Sequence, residues 1–189
     1  MMLRRLLAEN ADLLREVAEL RALRELAYQD GLTGLGNRRY LEARLDEELG
    51  RSRRGRLRHG SLLSLDVDRF RDINAGHGRV VGDRALRWLA RLLLDTVGER
   101  DVSCRTGANE FMVILPDTER AGAQAIAACI DQRLQDATGS RWLPMTVSSG
   151  IACWPVDGSR LLDLVDVAAR VLAEAKRRRQ QPARLHLVR

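Results

Sequence analysis

The stretch SLLSLDVD, residues 61–68, is an apolar run that ends abruptly in two acids. Short runs of this kind are typical of buried strands. A carboxylate pair at a strand end is a common way to hold Mg²⁺, which prefers hard oxygen ligands together with substrate phosphates. We expect Asp66 and Asp68 to point to opposite faces of the strand, so that one could hold a metal while the other serves the fold. Taken alone, the pair is a weak indication of a metal site.

Helices and strands alternate on both sides of this strand. Periodic apolar positions predict helices over residues 38–49, 83–97, 120–135 and 161–178, with a glycine-containing loop between residues 68 and 83. Further strands are predicted over 102–106, 110–115, 145–154 and 183–188, and a turn at 106–109 joins the first two into a hairpin. This order predicts an α/β domain of the α+β kind. Its mixed five-stranded sheet would carry helices on its faces, as in ferredoxin-like or polymerase-palm cores.

A separate helix is predicted in front of this domain, over residues 3–28, because the segment lacks Gly and Pro and is rich in Leu, Ala, Glu and Arg. A three-four spacing typical of a coiled-coil seam joins Leu3, Leu6, Asn10, Leu13, Val17 and Leu20. Asn at an a position favours a parallel two-stranded coil, and hence a homodimer. The alternative is an amphipathic helix packed on its own domain. The predicted division is a helix over 1–29 and a domain over 30–189.

Composition narrows the classes of partner. The chain has 32 Lys and Arg against 26 Asp and Glu, a formal charge of +6 that attracts phosphates. The arginines cluster at 51–58 and 177–179, where a solvated surface is the simplest interpretation. Aromatic residues make up only 4%, which argues against stacking on nucleic-acid bases. We find no signal peptide and no apolar run long enough to span a bilayer. Cys104, Cys129 and Cys153 fit no zinc or redox spacing and are interpreted as small buried hydrophobic residues.

Several blocks together resemble the GGDEF family, the diguanylate cyclase domains of cyclic di-GMP signalling. In family order they are DGLTGLGNRR at 30–39, LDVDRFRDIN at 65–74, GRVVGD at 78–83, RTGANEF at 105–111, VSSGIA at 147–152 and AK at 175–176. The coincidence of so many blocks is highly specific, although each alone is not. The resemblance implies a nucleotidyl-cyclase palm fold, a guanine nucleotide such as GTP as ligand, and Mg²⁺ bound with that nucleotide. It also implies a bacterial cytoplasmic location and an upstream sensor or effector protein.

The resemblance also assigns roles to individual residues. It implies that the metal is held by Asp66, the Val67 carbonyl and Glu110, and that guanine is recognised by Asn74 and Asp83. The implied phosphate contacts come from Arg71, Lys176 and the backbone N–H groups of Arg69 and Phe70. Plainer interpretations stay open for three of these residues: Asp83 as the N-cap of the helix it opens, Asn74 as an ordinary loop residue, and Lys176 as a solvated lysine.

The motif that names the family departs at two positions, reading Gly107-Ala108-Asn109-Glu110-Phe111. Ala108 adds a methyl group where phosphate should approach the backbone. Asn109 replaces an acid that, by the resemblance, ligates metal at the catalytic position beside Glu110. A neutral amide is a poorer ligand and cannot act as a base. We therefore predict a catalytically weak or inactive domain that acts as a dimeric nucleotide-binding or regulatory module; the alternative is an active diguanylate cyclase that converts two GTP to cyclic di-GMP.

Two further departures agree with this prediction. Gln180 stands where the resemblance implies an arginine, and residues 177–179 could replace its charge but not its geometry. Gly98 stands in place of the arginine of an inhibitory site that ends in Asp101, which argues against product feedback there.

Overall fold

The computed structural model describes residues 2–53, 59–138 and 145–180. Helix α1 (Met2–Tyr28) and helix α2 (Arg38–Arg53) precede strand β1 (Gly60–Val67). Helices α3 (Phe70–His77) and α4 (Arg79–Leu94) lead to strands β2 (Val102–Arg105) and β3 (Glu110–Pro116). Helix α5 (Arg120–Thr138), strand β4 (Val147–Trp154) and helix α6 (Leu161–Gln180) follow.

The described strands form one sheet in the order β2-β3-β1-β4, and each neighbouring pair is antiparallel. The α+β fold class is confirmed. The prediction of a mixed sheet is wrong for the described strands, which pair only in antiparallel fashion. The reason is that β3 turns back from β2 and inserts between β1 and β2. The crossover through α3 and α4 therefore leaves β1 and β2 parallel but not adjacent. The strand predicted at 183–188 lies outside the described residues.

Strand β1 is central and buried along its whole length, which explains its apolar sequence. Its side chains alternate between two core layers. Leu63 and Leu65 pack in the layer that contains α4 and α5, whereas Leu62 packs in the layer that contains α2 and α6. Burial of one such leucine stabilises a fold by about 1.5–3 kcal/mol.

Helix α6 lies very close to β4, and a glycine makes this possible. A Cβ atom on Gly150 would lie 2.2 Å from the carbonyl oxygen of Ala168 in α6. The absence of a side chain at Gly150 therefore allows α6 to run along the sheet. The helix reaches the end of β1 about two turns later, at Lys176.

The segment between residues 68 and 83 was predicted as a loop, and this is wrong. It contains the eight-residue helix α3, which is too short to give a clear periodic signal. Helix α4 begins at Arg79, so Asp83 lies in its second turn. The interpretation of Asp83 as a helix N-cap is wrong for the same reason. The Asn74 side chain belongs to α3 and not to a loop.

Two of the three cysteines are buried as expected, and the third is not. Cys104 and Cys153 are buried, whereas Cys129 is exposed on α5, and all three are free. Burial raises the pKa of the Cys104 thiol to about 12. A thiol of this kind is inert at neutral pH.

Helix α1 is present as predicted, and the described side chains of its seam face solvent. Leu6, Leu13, Val17 and Leu20 are 42–61% exposed. In the single chain this apolar stripe therefore does not pack on its own domain, which was the alternative interpretation. No helix among the described residues is long and apolar enough to cross a membrane.

The segment between α1 and α2 ties the helix to the sheet. The Asn37 amide donates to the backbone oxygens of Ala27 and Gln29 at 2.7 and 3.3 Å. The Asp30 carboxylate accepts from the backbone and hydroxyl of Thr33, and both of its oxygens lie 3.1 Å from Nη1 of Arg105 on β2. The exit of the helix is thereby fixed to the edge strand of the sheet.

These contacts stabilise the ionised form of the Asp30 carboxyl. Burial raises the pKa of the Asp30 carboxyl, but the hydrogen bonds from Thr33 and Arg105 lower the pKa by more, and it falls below its ordinary value of 3.8. A depressed pKa in the folded state stabilises the fold above the unfolded-state pKa. This stabilisation is lost as the pH falls through the folded-state pKa.

We predict that Asp30→Asn lowers the free energy of unfolding by about 1–3 kcal/mol at neutral pH, because Arg105 loses its charged partner. The difference from wild type should shrink as the pH falls below about 4. Urea unfolding at several pH values measures both effects. Asp12→Asn is the matched control, since Asp12 pairs with Arg15 at a site where both side chains are at least 70% exposed. A loss for Asp30→Asn that does not change with pH would contradict the assignment.

Candidate functional site

A cleft of about 1260 Å³ opens at the carboxyl end of β1. The end of β1, helix α3, the β2–β3 turn, α5 and α6 all contribute to its wall. Ten of the residues singled out from the sequence line it: Asp66, Val67, Asp68, Arg69, Phe70, Arg71, Asn74, Ala108, Asn109 and Lys176. The antiparallel sheet brings the end of β1 beside the start of β3, and α6 packs on β4 and β1.

Asp66 is the centre of the cleft's polar contacts. It is only 5% exposed, although it carries a carboxylate. Nζ of Lys176 lies 2.7 Å from one oxygen of Asp66, and Nδ2 of Asn109 donates to the other at 2.8 Å. A buried carboxylate requires such partners, because its charge is otherwise costly to remove from water. Lys176 is therefore an ion-pair partner and not a solvated surface lysine.

Asn109 makes a second contact with the same strand. Its Nδ2 also donates to the Val67 carbonyl oxygen at 3.0 Å. The backbone of Asn109 is fixed as well, because its carbonyl accepts from the Val67 N–H at 3.0 Å. The preceding residue is held by Arg105, whose Nη2 donates to the Ala108 carbonyl at 2.7 Å. The turn therefore presents the Asn109 amide to β1 in a fixed position.

Asp68 lines the same cleft as Asp66, and the expectation that the two point to opposite faces is wrong. Alternate residues of an extended chain face the same side, so the two carboxylates share the cleft. Asp68 accepts from the hydroxyls of Thr146 and Ser148, both at 2.7 Å, and from Nη1 of Arg179 at 3.1 Å. These contacts hold the segment after β1 to β4 and α6.

Arg179 is a cleft residue that the sequence analysis named only as part of the arginine cluster at 177–179. It joins Asp68, the residue after β1, to Asp131 of α5, with Nη2 2.7 Å from the Asp131 carboxylate. The available signal was its spacing, since residues three apart on a helix share a face and Lys176 already faces the cleft. Arg179 precedes the Gln180 position at which the resemblance implies an arginine.

The Asn74 side chain contains a hydrogen-bond acceptor that has no partner among the residues that the structure describes. Its Oδ1 atom is buried and has no hydrogen-bond partner, which is unusual for a buried polar atom. A Cβ atom at position 82 would lie 2.0 Å from this oxygen, so Gly82 is needed for the amide to sit there. Asp83 is half-buried and is next to Gly82 in sequence, but it does not line the described cleft.

The start of α3 offers backbone donors to the cleft. Its N-cap, Arg69, has left-handed backbone angles with φ of 51°, and no side chain caps the helix. The first N–H groups of a helix have no partner within the helix and attract anions. Phe70 and the exposed Arg71 line the cleft at this end.

Glu110 lies directly opposite Asp66 in the β1–β3 register, as expected. Its side chain, however, is exposed and bends back over the turn. A Cβ atom at Gly107 would lie 2.6 Å from Oε2 of Glu110. Glu110 is not part of the described cleft lining, so this carboxylate and that of Asp66 do not converge on one point within it.

The residues present do not fit the Mg²⁺ ion that the resemblance implies. The oxygens it assigns to the metal, on Asp66 and Val67, already accept from the Asn109 amide. The second Asp66 oxygen is paired with Lys176. Within residues 2–53, 59–138 and 145–180, no three or more His, Cys, Asp or Glu side chains are grouped so that they could hold a metal.

Comparison with known proteins identifies the family. A family model described as "Diguanylate cyclase, GGDEF domain" matches residues 27–182. The chain therefore belongs to the GGDEF family.

Among curated relatives, the response regulator PleD of Caulobacter vibrioides is 37% identical over 157 residues, which cover 80% of this chain and 34% of PleD. The chain thus spans about a third of the length of that relative. Among solved structures, the coiled coil and GGDEF domain of DgcB from Caulobacter crescentus, in complex with c-di-GMP, is similar with a TM-score of 0.78 and 26% identity. That match covers 92% of this chain and 93% of the DgcB chain.

A second solved structure is the diguanylate cyclase SiaD from Pseudomonas aeruginosa in complex with its activator SiaC. It matches with a TM-score of 0.75 and 33% identity over 94% of this chain and 70% of the SiaD chain. The descriptions of the DgcB and SiaD structures associate the domain type with cyclic di-GMP signalling.

Proposed function

We propose that this chain is a regulatory GGDEF domain of cyclic di-GMP signalling that binds guanine nucleotide and makes little or no cyclic di-GMP. The observation that carries the proposal is the contact of the Asn109 amide with Asp66 and Val67. The side chain at this position donates two hydrogen bonds where an acid would present oxygens.

Chemistry at the site would lack both a base and a free carboxylate. Formation of cyclic di-GMP joins two GTP molecules, as each 3′-hydroxyl attacks the α-phosphate of the other and displaces pyrophosphate. Asn109 cannot accept the proton of the hydroxyl. The Asp66 carboxylate is engaged on both oxygens, and the Glu110 side chain lies outside the cleft. These three features support weak or absent turnover.

Nucleotide binding has better support than catalysis. The open Oδ1 of Asn74 can accept an N–H from a guanine edge, which carries adjacent N1–H and amino donors. Arg71 is exposed in the same cleft, and the start of α3 supplies backbone donors. Lys176 and Arg179 lie there too, each paired with carboxylates. An adenine edge lacks the N1–H donor, so GTP should be preferred.

The alternative, an active diguanylate cyclase, is favoured by one observation. Asp66 and Glu110 remain opposite each other on adjacent strands, although the Glu110 side chain lies outside the cleft.

We predict that the purified chain, incubated with labelled GTP and Mg²⁺, forms little or no cyclic di-GMP when the nucleotides are separated. The double change Asn109→Asp with Ala108→Gly should raise turnover by about 10-fold or more, the scale on which changes around metal ligands act. Asp66→Ala controls for contaminating activity. Robust turnover by wild type that Asp66→Ala abolishes would refute the proposal, and a folded, GTP-binding double variant without gain would place the defect elsewhere.

We predict that GTP binds more tightly than ATP in calorimetry. Asn74→Ala should remove the preference, because an unpaired buried purine edge costs about 1–3 kcal/mol. Gln124→Ala is the matched control, since Gln124 is an exposed amide on α5 outside the cleft. Equal affinity for the two nucleotides in wild type would remove the guanine role.

A homodimer through α1 is the second part of the proposal. The exposed seam of Leu6, Leu13, Val17 and Leu20 would leave a long apolar stripe in water. The similar DgcB structure is described as a coiled coil with a GGDEF domain, which supports the same use of the helix here. A parallel coil would carry two domains at one end, so a twist or register shift could reorient them. An upstream sensor or an effector protein, comparable to the activator bound to SiaD, would act on this arrangement.

We predict that the chain is a dimer in light scattering at tens of micromolar. Removal of residues 1–26, or Leu13→Asp with Leu20→Asp, should give monomers because the apolar seam is lost. Leu94→Asp changes an exposed leucine of α4 outside the seam and should leave the dimer intact. A monomeric wild-type chain would refute the coiled coil.

A further inference from the structure

The position of the Asn109 amide has a consequence for ligand binding. Its Nδ2 atom lies 2.8 Å from Oδ1 of Asp66 and 3.0 Å from the Val67 carbonyl oxygen, and so bridges them. This nitrogen lies between the carboxylate oxygen and the carbonyl oxygen, in the position that a bound cation would occupy. The second Asp66 oxygen is 2.7 Å from the Lys176 ammonium, which supplies the positive charge.

An entering divalent ion would have to displace these donors. It would break both hydrogen bonds of the Asn109 amide and would compete with Lys176 for the buried carboxylate. Rotation of the amide could offer an oxygen in place of the nitrogen, but a neutral oxygen attracts a cation less than a carboxylate does. The backbone bond from Val67 to Asn109 keeps the residue against β1 in either orientation.

The cleft also contains fixed positive charge for a phosphate chain. Arg71 supplies it, exposed at the start of α3, whereas Arg179 is held by Asp68 and Asp131. The uncapped first turn of α3 adds backbone N–H donors at the same place. Phosphate oxygens can therefore find charge-assisted hydrogen bonds from the protein alone.

We propose that this domain binds its nucleoside triphosphate without a divalent cation, with the Asn109 amide and the Lys176 ammonium in place of the metal. This inference rests on the proposed function as a guanine-nucleotide-binding domain. It goes further because it makes the divalent cation dispensable for nucleotide binding, whereas an acid at position 109 would require the metal.

Calorimetry with GTP tests this inference on the full chain, once with excess EDTA and once with millimolar Mg²⁺. For wild type, the two dissociation constants should agree within about 2-fold, because no protein ligand awaits the ion. For Asn109→Asp, binding in EDTA should be about 10-fold or more weaker than in Mg²⁺, since the added carboxylate repels phosphate and Asp66 unless a cation is present. Gln124→Glu makes the same amide-to-acid change at an exposed position of α5 outside the cleft, and should behave as wild type.

Titration with Mn²⁺ in the absence of nucleotide, followed by electron paramagnetic resonance, gives a second readout. Wild type should leave Mn²⁺ free, and Asn109→Asp should bind it more tightly. Wild-type GTP binding that appears only with Mg²⁺, or Mn²⁺ binding that Asn109→Ala abolishes, would overturn the inference and leave the proposed function standing. Absence of GTP binding under both conditions would overturn the proposed function together with it. The comparison of wild-type GTP binding in EDTA and in Mg²⁺ needs no variant. It therefore tests the inference even if the Asn109→Asp protein fails to fold.

Discussion

The Asp66 carboxylate, buried at the end of the central strand, is the constraint on which the site depends. A charge with 5% exposure must be offset by partners, and here they come from opposite directions. Lys176 reaches it from α6, and Asn109 reaches it from the hairpin turn. The same contacts that satisfy Asp66 therefore hold α6 and the turn to the end of β1. Loss of either partner would leave a buried anion half-satisfied, so the cleft and the local fold depend on each other.

Periodicity located the elements well, since the core helices and buried strands carry strong apolar patterns. It failed where the pattern was short or the question was one of pairing. Helix α3 has eight residues and one buried side chain, Ile73, which is too little for a periodic signal. The direction of each strand pair depends on where the hairpin inserts, and local sequence does not determine that insertion. Asp66 and Asp68 were placed on opposite faces although the two-residue repeat of a strand puts them on one.

The site could be predicted only as a set of positions. Family resemblance selected Asp66, Asn74, Asn109 and Lys176, and the fold brings them to one cleft. Their partners could not be foreseen, because a hydrogen bond depends on distances between residues far apart in the sequence. The Asn109 amide crosses to β1 over 43 positions, and Glu110 turns away towards Gly107. From the sequence, Asn109 is interpreted as the loss of a metal ligand. In the structure, its amide is a hydrogen-bond donor to the end of β1.

The turn that carries Asn109 is also connected to the helix in front of the domain. Asn37 binds the last turn of α1, and Asp30 follows that turn and pairs with Arg105. Arg105 in turn donates to the Ala108 carbonyl, next to the residue that contacts Asp66. The Arg105 side chain is only 14% exposed, so a movement of the helix that removed Asp30 would leave a charged group nearly buried and unpaired. Such a loss costs about 1–3 kcal/mol or more. The position of α1 and the geometry of the turn are therefore linked by an energy large enough to shift the population of two states by 10-fold or so, and this link does not require that the site perform chemistry.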